Sequence, residues 1–507
     1  MDLELTGKVI GLEQAAELVA AHRAAGQRVV QAHGVFDLLH IGHMRFLMGA
    51  RRLGDVLVVT ITPDRFVNKG PHRPAFTEAL RAEALASLAY VDYVVVNAWP
   101  TAVEAIALLR PDLFAKGSEY QDNRTPEILA EEEAIAAAGG QMAYVDELTS
   151  SSSMLLNRFL SPFPDATVAY LADLRERVGA EAILEWVERL RGARLLVIGE
   201  AIVDEYHYCS ILGPSSKAPV MAMQHLGEDR FAGGAAAIAN HLAGFCDEVG
   251  LVTMVGGADD LGDWVLGQLR PNVNAAALSK RGAPTILKRR YRESYAQQHC
   301  FEVYFMDDSP LCEDDEQRLD GLLADWLGRY DAVIVADYGH AMLPDSARRR
   351  ICAGARFLAV NTQANAGNRG YHTVSKYGRA DMVCLAETEL RLEARDRTGR
   401  PEPMLERLAA QLGTRLAIAT RGSGGCLISE QGQGLSTAPA LAVEVVDRVG
   451  AGDAFLALAA SATSQGAPAE LAAFLGNVAG SEAVASVGNR RTLERLPFCR
   501  HVQSLLK

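Results

Sequence analysis

Along the first 160 residues, short apolar runs alternate with stretches of helical periodicity. Residues 28–33, 55–62, 92–97, 112–116 and 142–145 read as strands. Residues 77–89 read as a helix with Thr77 as its N-cap. After the punctuation Ser161-Pro162-Phe163-Pro164-Asp165, residues 169–191 read as one amphipathic connecting helix. A second alternating series follows, with strands at 194–199, 248–255, 331–336, 357–361, 382–385 and 416–420. Strands alternating with helices imply parallel sheets covered on both faces, so the fold class is α/β. The expected organisation is a domain over 1–160, a connecting helix or linker over 161–190, and a second domain over 191–507.

Composition sharpens this picture. A chain of 507 residues exceeds one ordinary core and suits two or three domains. Asp+Glu at 63 against Lys+Arg at 50 gives a net charge of −13, which argues against nucleic acid or an anionic membrane surface as the main partner. No run approaches the roughly 18 apolar residues of a membrane helix, and Met1-Asp2-Leu3-Glu4 does not open a signal peptide. The eight cysteines lack CxxC spacing, so the expectation is a reduced, cytoplasmic chain without a structural zinc site.

The strand at 28–33 runs into Gly34-Val35-Phe36-Asp37-Leu38-Leu39-His40-Ile41-Gly42-His43. Gly34 lets the backbone approach a ligand closely. A helix starting near His40 puts His40 and His43 on one face. Two surface histidines, two metal ligands awaiting a third, and a phosphate site are all open readings; the strand-to-helix context favours phosphate, because helix N–H groups and both rings would meet one anion. This segment resembles the signature of the cytidylyltransferase-like nucleotidyltransferases. Asn68-Lys69-Gly70-Pro71-His72-Arg73-Pro74, Leu113-Phe114-Ala115-Lys116-Gly117-Ser118-Glu119-Tyr120 and Thr149-Ser150-Ser151-Ser152-Ser153 resemble later motifs of that family in order. The resemblance implies a Rossmann-like domain in which a sugar-phosphate oxygen attacks the α-phosphate of a nucleoside triphosphate, ATP or CTP. His40, His43 and Lys69 would be catalytic. Gly34, Phe36, Asp37, Lys116, Ser151, Ser152 and Ser153 would bind nucleotide or phosphate, with Mg²⁺ carried by the triphosphate.

Farther on, Val445-Val446-Asp447-Arg448-Val449-Gly450-Ala451-Gly452-Asp453-Ala454-Phe455 ends an apolar stretch and opens an apolar helix. Glycines before a helix N-terminus expose N–H groups to an anion. A carboxylate there suits a base that takes a proton from an attacking hydroxyl, the plain alternative being an Asp N-cap. The segment resembles the signature of the PfkB, ribokinase-like sugar kinases. Gly199-Glu200, Asp204-Glu205-Tyr206, Ala218-Pro219-Val220, Phe231-Ala232-Gly233-Gly234-Ala235-Ala236, Asp337-Tyr338-Gly339 and Thr420-Arg421-Gly422 follow the family order. The resemblance implies a ribokinase-like domain with Asp453 as general base. It places Gly450, Ala451, Gly452, Thr420 and Gly422 at the nucleotide, Asp204, Gly233, Gly234 and Asp337 at the sugar or transferred phosphate, and Glu389 at a metal. Strand-like 287–291 and 300–306, alternating and aromatic, are candidates for lid or edge strands, or equally for core strands; ribokinase-like kinases often pair through a small sheet lid, so a homodimer is expected.

The pattern also departs from the family. Glu200 stands for the usual Asp, Ala237 and Ala386 for two Asn, and Asn361-Thr362-Gln363 for Asp-Pro-Lys. Together the two halves resemble the bifunctional heptose kinase/adenylyltransferases with domain order reversed. The leading expectation is a bifunctional nucleotide-sugar synthesis enzyme acting on a heptose-like sugar, its sugar phosphate and a triphosphate. The alternative is an active nucleotidyltransferase joined to a degenerate kinase-like module for binding or oligomerisation.

Overall fold

A computed structural model describes residues 7–67, 74–118, 126–145, 162–295 and 297–506. The chain divides into two compact units, Met1–Pro162 with Lys507, and Phe163–Leu506. The first unit holds a five-stranded sheet of β1 (Val29–Gly34), β2 (Val56–Ile61), β3 (Tyr93–Val96), β4 (Leu113–Gly117) and β5 (Gln141–Val145). The order is β3-β2-β1-β4-β5, and all neighbours are parallel. Every residue of β2 is buried, as expected of a strand covered on both faces. The order reverses direction between β1 and β4, which opens a crevice at the carboxyl ends of those strands. Thr77 Oγ1 accepts from Leu80 N at 3.5 Å and starts the helix Glu78–Ala86.

The second unit is built on β6 (Leu195–Pro214), β7 (Met221–Gly234), β8 (Val249–Gly256), β9 (Val273–Lys280), β10 (Leu287–Glu293), β11 (His299–Phe305), β12 (Ala332–Asp337), β13 (Phe357–Thr362), β14 (Met382–Ala386), β15 (Leu416–Thr420), β16 (Cys426–Glu430) and β17 (Gly434–Ala438). The first third of β6 lies between β8 and β12 in a parallel sheet that continues through β13, β14 and β15. Its remainder leaves that sheet, pairs antiparallel with β7 and runs parallel to β10, which pairs with β11. This second layer is the small β lid. The segments 287–291 and 300–305 are therefore strands of this layer, β11 at its edge, and not strands of the main parallel sheet.

Behind the main sheet, the helices Ala451–Ser464 and Ala469–Val484 are buried along most of their length. Alanine and glycine let them approach closely: a Cβ on Gly476 would stand 2.9 Å from the Phe455 ring. The stretch expected as one connecting helix is two, Asp165–Arg177 and Ala180–Arg189. Gly179, at φ +82°, breaks it, because a left-handed residue cannot continue a helix. Leu171, Leu174, Ile183 and Val187 are buried in the core of the second unit, so both helices belong to that unit.

Candidate functional site

In the first unit, the helix Ile41–Arg52 begins at the crevice beyond β1. His40 is its N-cap, and its Nδ1 accepts from Gly42 N at 3.1 Å. An accepting Nδ1 leaves the ring proton on Nε2. The His40 and His43 ring centroids lie 4.0 Å apart, and the Phe36 ring meets His43 edge-on at 5.4 Å. Phe36 and Leu38 both adopt left-handed backbone, φ +48° and +50°, which is uncommon strain concentrated beside the two imidazoles. Gly34 leaves room for the Phe36 ring, which a Cβ would approach to 3.1 Å.

Asp37 is buried and turned inward, accepting from Ala75 N and Phe76 N at 2.9 and 3.1 Å. It therefore fixes the loop opposite the histidines through backbone contacts. Lys116, next to last in β4, pairs with Glu131 at 2.7 Å. Burial, assisted by Lys116, pushes the neighbouring His33 down to about 3, so that ring stays neutral between Thr60 and Thr62. Lys69, Ser151, Ser152 and Ser153 lie outside the described residues.

In the second unit, one cavity of about 270 Å³ is lined by Ile202, Asp204, Gly234, Lys288, Arg290, Tyr338, Gln363, Arg448, Val449, Gly450, Gly452 and Asp453. Gly450 caps the helix Ala451–Ser464 at φ +86°, and a Cβ there would stand 2.4 Å from Asn489 Oδ1. Asp453 lies in the first helical turn and accepts from the Tyr338 hydroxyl at 2.7 Å. Burial pushes its carboxyl up to about 7, against the Tyr338 hydrogen bond, which favours the ionised form.

Asp204, on β6, pairs with Arg290 and accepts from Asn489 Nδ2 at 3.3 Å. Gly233 is required behind it, since a Cβ would fall 2.1 Å from Asp204 Oδ2. Gly234, at φ +61°, starts the following helix at Ala235 and leaves clearance for the Glu200 carbonyl. Burial lowers Lys288, with Asp204 acting in the opposite sense. A larger open groove of about 690 Å³ between the helices Glu313–Leu327 and Asp345–Gly354 contains none of these residues.

Some expected residues stand elsewhere. Asp337 is buried behind Tyr338, bonded to Lys376 and to the Tyr377 hydroxyl, each at 2.6 Å; it does not line the cavity. Glu389 turns both oxygens to backbone, accepting from Ala364 N at 3.0 Å and Ala386 N at 2.7 Å. Each oxygen thus gives one acceptor site to backbone, which fixes the carboxylate at the start of the helix Glu387–Ala394. Thr420 bonds weakly to the Leu385 carbonyl, and Gly422 turns the β15–β16 hairpin; neither lines the cavity. Ala451 contributes to the helix start without lining the cavity.

Sequence reading missed Lys288, Arg290 and Arg448 as cavity residues. The signal was present on β10, where Lys288, Arg290 and Arg292 alternate and are all buried. Buried cations at every second position imply a charged neighbour on that face. Glu200 explains one departure: its oxygens accept from Tyr338 N and His340 N, both at 3.0 Å, so the longer carboxylate braces the turn that presents Tyr338.

Residues 193–496 match the model of the pfkB family carbohydrate kinases. The chain belongs to the pfkB family. Residues 32–158 match the cytidylyltransferase-like model, so the pfkB unit follows a cytidylyltransferase-like one. Among curated relatives, the bifunctional protein HldE of Syntrophotalea carbinolica is 37% identical over 164 residues, which are 32% of this chain and 33% of that protein. The bifunctional protein HldE of Gluconobacter oxydans is 36% identical over 161 residues, 31% and 33% respectively. The chain thus spans about a third of the length of the curated relatives it matches. The fold of Escherichia coli phosphofructokinase-2, solved with substrates and products, is similar at a TM-score of 0.50 and 16% identity; it covers 62% of this chain and all of that one. Among the described residues no helix is long and apolar enough to cross a membrane.

Proposed function

We propose that this chain activates a heptose-like sugar in two steps, phosphorylation in the pfkB unit and nucleotidyl transfer in the cytidylyltransferase-like unit. One observation carries the reading: Asp453, raised toward neutrality, shares a cavity with the Gly450–Gly452 helix start and three cationic side chains. In the first step Asp453 takes the proton of a sugar hydroxyl, whose oxygen attacks the γ-phosphate. The bond to the β-phosphate oxygen breaks and ADP leaves. Backbone N–H groups at Gly450, Ala451 and Gly452 receive the migrating charge, and Asp204 holds the sugar. Lys288, Arg290 and Arg448 suit a sugar that already bears a phosphate.

In the second step a phosphate oxygen on the sugar attacks the α-phosphate of ATP or CTP between His40 and His43, and pyrophosphate leaves. Alignment and charge stabilisation suffice, without a covalent nucleophile. Lys69, Lys116 and the serines 151, 152 and 153 complete the phosphate contacts in this reading. Mg²⁺ would travel with the triphosphate, as this cation usually binds phosphates and water in preference to a dedicated protein cage.

The enzyme works in the cytoplasm on small molecules, with the domain order of the bifunctional heptose enzymes reversed. Ile211, Leu212, Val220 and Met221, exposed at the far end of the β6–β7 hairpin, would pair two copies as a homodimer. Leu212→Glu is expected to turn a dimer into a monomer in sedimentation velocity; an unchanged sedimentation coefficient would refute that interface.

The test of the main reading is ADP and pyrophosphate release, measured separately over C5–C7 sugars and their phosphates with ATP and CTP. Signal in both channels is expected. Pyrophosphate without ADP would favour the second reading, a degenerate kinase module, which the alanines at 237 and 386 and the backbone-bound Glu389 support.

A further inference from the structure

The outer face of the lid carries a cluster that neither catalytic step uses. His207 on β6 and His225 and Glu228 on β7 each offer one ligand atom, and these atoms lie within 4.8 Å of one another. The register explains how they meet. His207 pairs with Glu228 and Tyr208 with Gly227, but Cys209 pairs with His225, so Leu226 is an extra, unpaired residue. Side chains alternate faces along a strand, and in an unbulged register Leu226 would pair with Cys209 and His225 with Ser210, on the opposite face from His207. The bulge turns it onto the face of His207, and the two ring centroids stand 5.2 Å apart.

The surroundings hold one ring in place. His207 bonds through Nε2 to Glu205 at 2.7 Å, and Glu205 is itself buried and paired with Arg230 and Arg289. Tyr291 of β10 packs beside the same ring at 5.1 Å. With Nε2 held by Glu205, Nδ1 is the His207 nitrogen left to a metal, a buried carboxylate fixing the ring's orientation as in many metal sites. Glu228 reaches within 3.5 Å of His207 Nε2 and stays half exposed.

We propose that His207, His225 and Glu228 form a binding site for one transition-metal cation of the zinc class, on the face of the lid turned away from the Asp453 cavity. Two imidazoles and one carboxylate suit Zn²⁺, Co²⁺ or Ni²⁺, and poorly suit Mg²⁺, which prefers oxygen and water. Three protein ligands leave the remaining positions to water. A bound ion ties β6 to β7 across the bulge.

The proposal stands independently of the substrates. The metal-free full chain is titrated with Co²⁺, following visible absorption and, in parallel, calorimetry with Zn²⁺. One ion per chain is expected, together with a rise in the thermal midpoint. Loss of an outer-layer partner commonly weakens metal sites about 10–100-fold, so His225→Ala and Glu228→Gln should each weaken binding by about 100-fold or more. Both residues are exposed, so folding is preserved, which circular dichroism checks. Absence of Co²⁺ binding by the wild-type chain, or equal binding by wild type and both variants, overturns the proposal.

Discussion

Asp453 meets two opposing influences, burial that raises its carboxyl to about 7 and a Tyr338 hydroxyl that favours its ionised form. A base must be ionised to act, so ADP formation should rise with pH through about 7. Tyr338→Phe should move that limb upward by about one to two pH units, since a hydrogen bond to a charged group contributes about 1.5–3 kcal/mol and one pH unit is about 1.4; an unmoved pH–rate profile would refute the contact's role. Asp453→Asn should lower ADP formation by about 10²–10⁴ and spare pyrophosphate release.

Stability carries its own sign. The folded pKa of Asp453 lies above the ordinary carboxylate value, so the folded state binds the proton more tightly. Stability from this group is complete below about pH 4 and is lost as pH rises toward 7. Asp453→Asn should therefore melt higher than wild type at pH 8, with the difference vanishing near pH 4 in scanning calorimetry. In the other unit, His43→Ala should cut pyrophosphate release by about 10²–10³ and leave ADP formation intact. The residues behind these predictions were legible because short motifs carry them: a glycine turn and an acid before an apolar helix, two histidines three apart after a strand. Tyr338 sits in the Asp337-Tyr338-Gly339 motif, but its bond to Asp453 spans 115 positions that no local pattern connects.

At the scale of elements, β10 shows where reading from sequence stops. Its alternation identified a strand, yet which face meets the cavity depends on pairing with β6, where Leu287 lies opposite Val203 and Lys288 opposite Asp204. Register of that kind is set by distant partners. The connecting segment failed for a local reason, Gly179, whose left-handed backbone divides one amphipathic run into two helices. Gly233 tests the packing of β7 on β6: Gly233→Ala would push on the Asp204 carboxylate. With overpacking costing about 1–3 kcal/mol, the sugar KM should rise about 10–100-fold while the KM for ATP changes little.

For the whole molecule, each unit has its own buried core, with Leu47 among Val30, Leu57 and Leu85 in the first. Leu47→Ala should remove about 2–5 kcal/mol from that unit alone. Pyrophosphate release should then fail at a lower temperature than in wild type, with the heat resistance of ADP formation unchanged; equal loss of both would refute independent units. The alternation of strands and helices exposed two α/β regions because it repeats on either side of a Pro-rich break. It did not reveal that β6 spans two sheets, since a single long apolar strand and two short ones look alike in sequence.

That shared strand has a mechanical consequence. From Leu195 to Glu200 it is clamped between β8 and β12, and from Ala201 onward it is the spine of the lid. Any rocking of the lid bends the strand just past the clamp, as a diving board bends near its support. Asp204 stands four residues beyond that point, close to the fulcrum, where displacement is least. The carboxylate assigned to the sugar can thus keep its place while the outer lid, with His207 and the hairpin tip, sweeps through a wider arc.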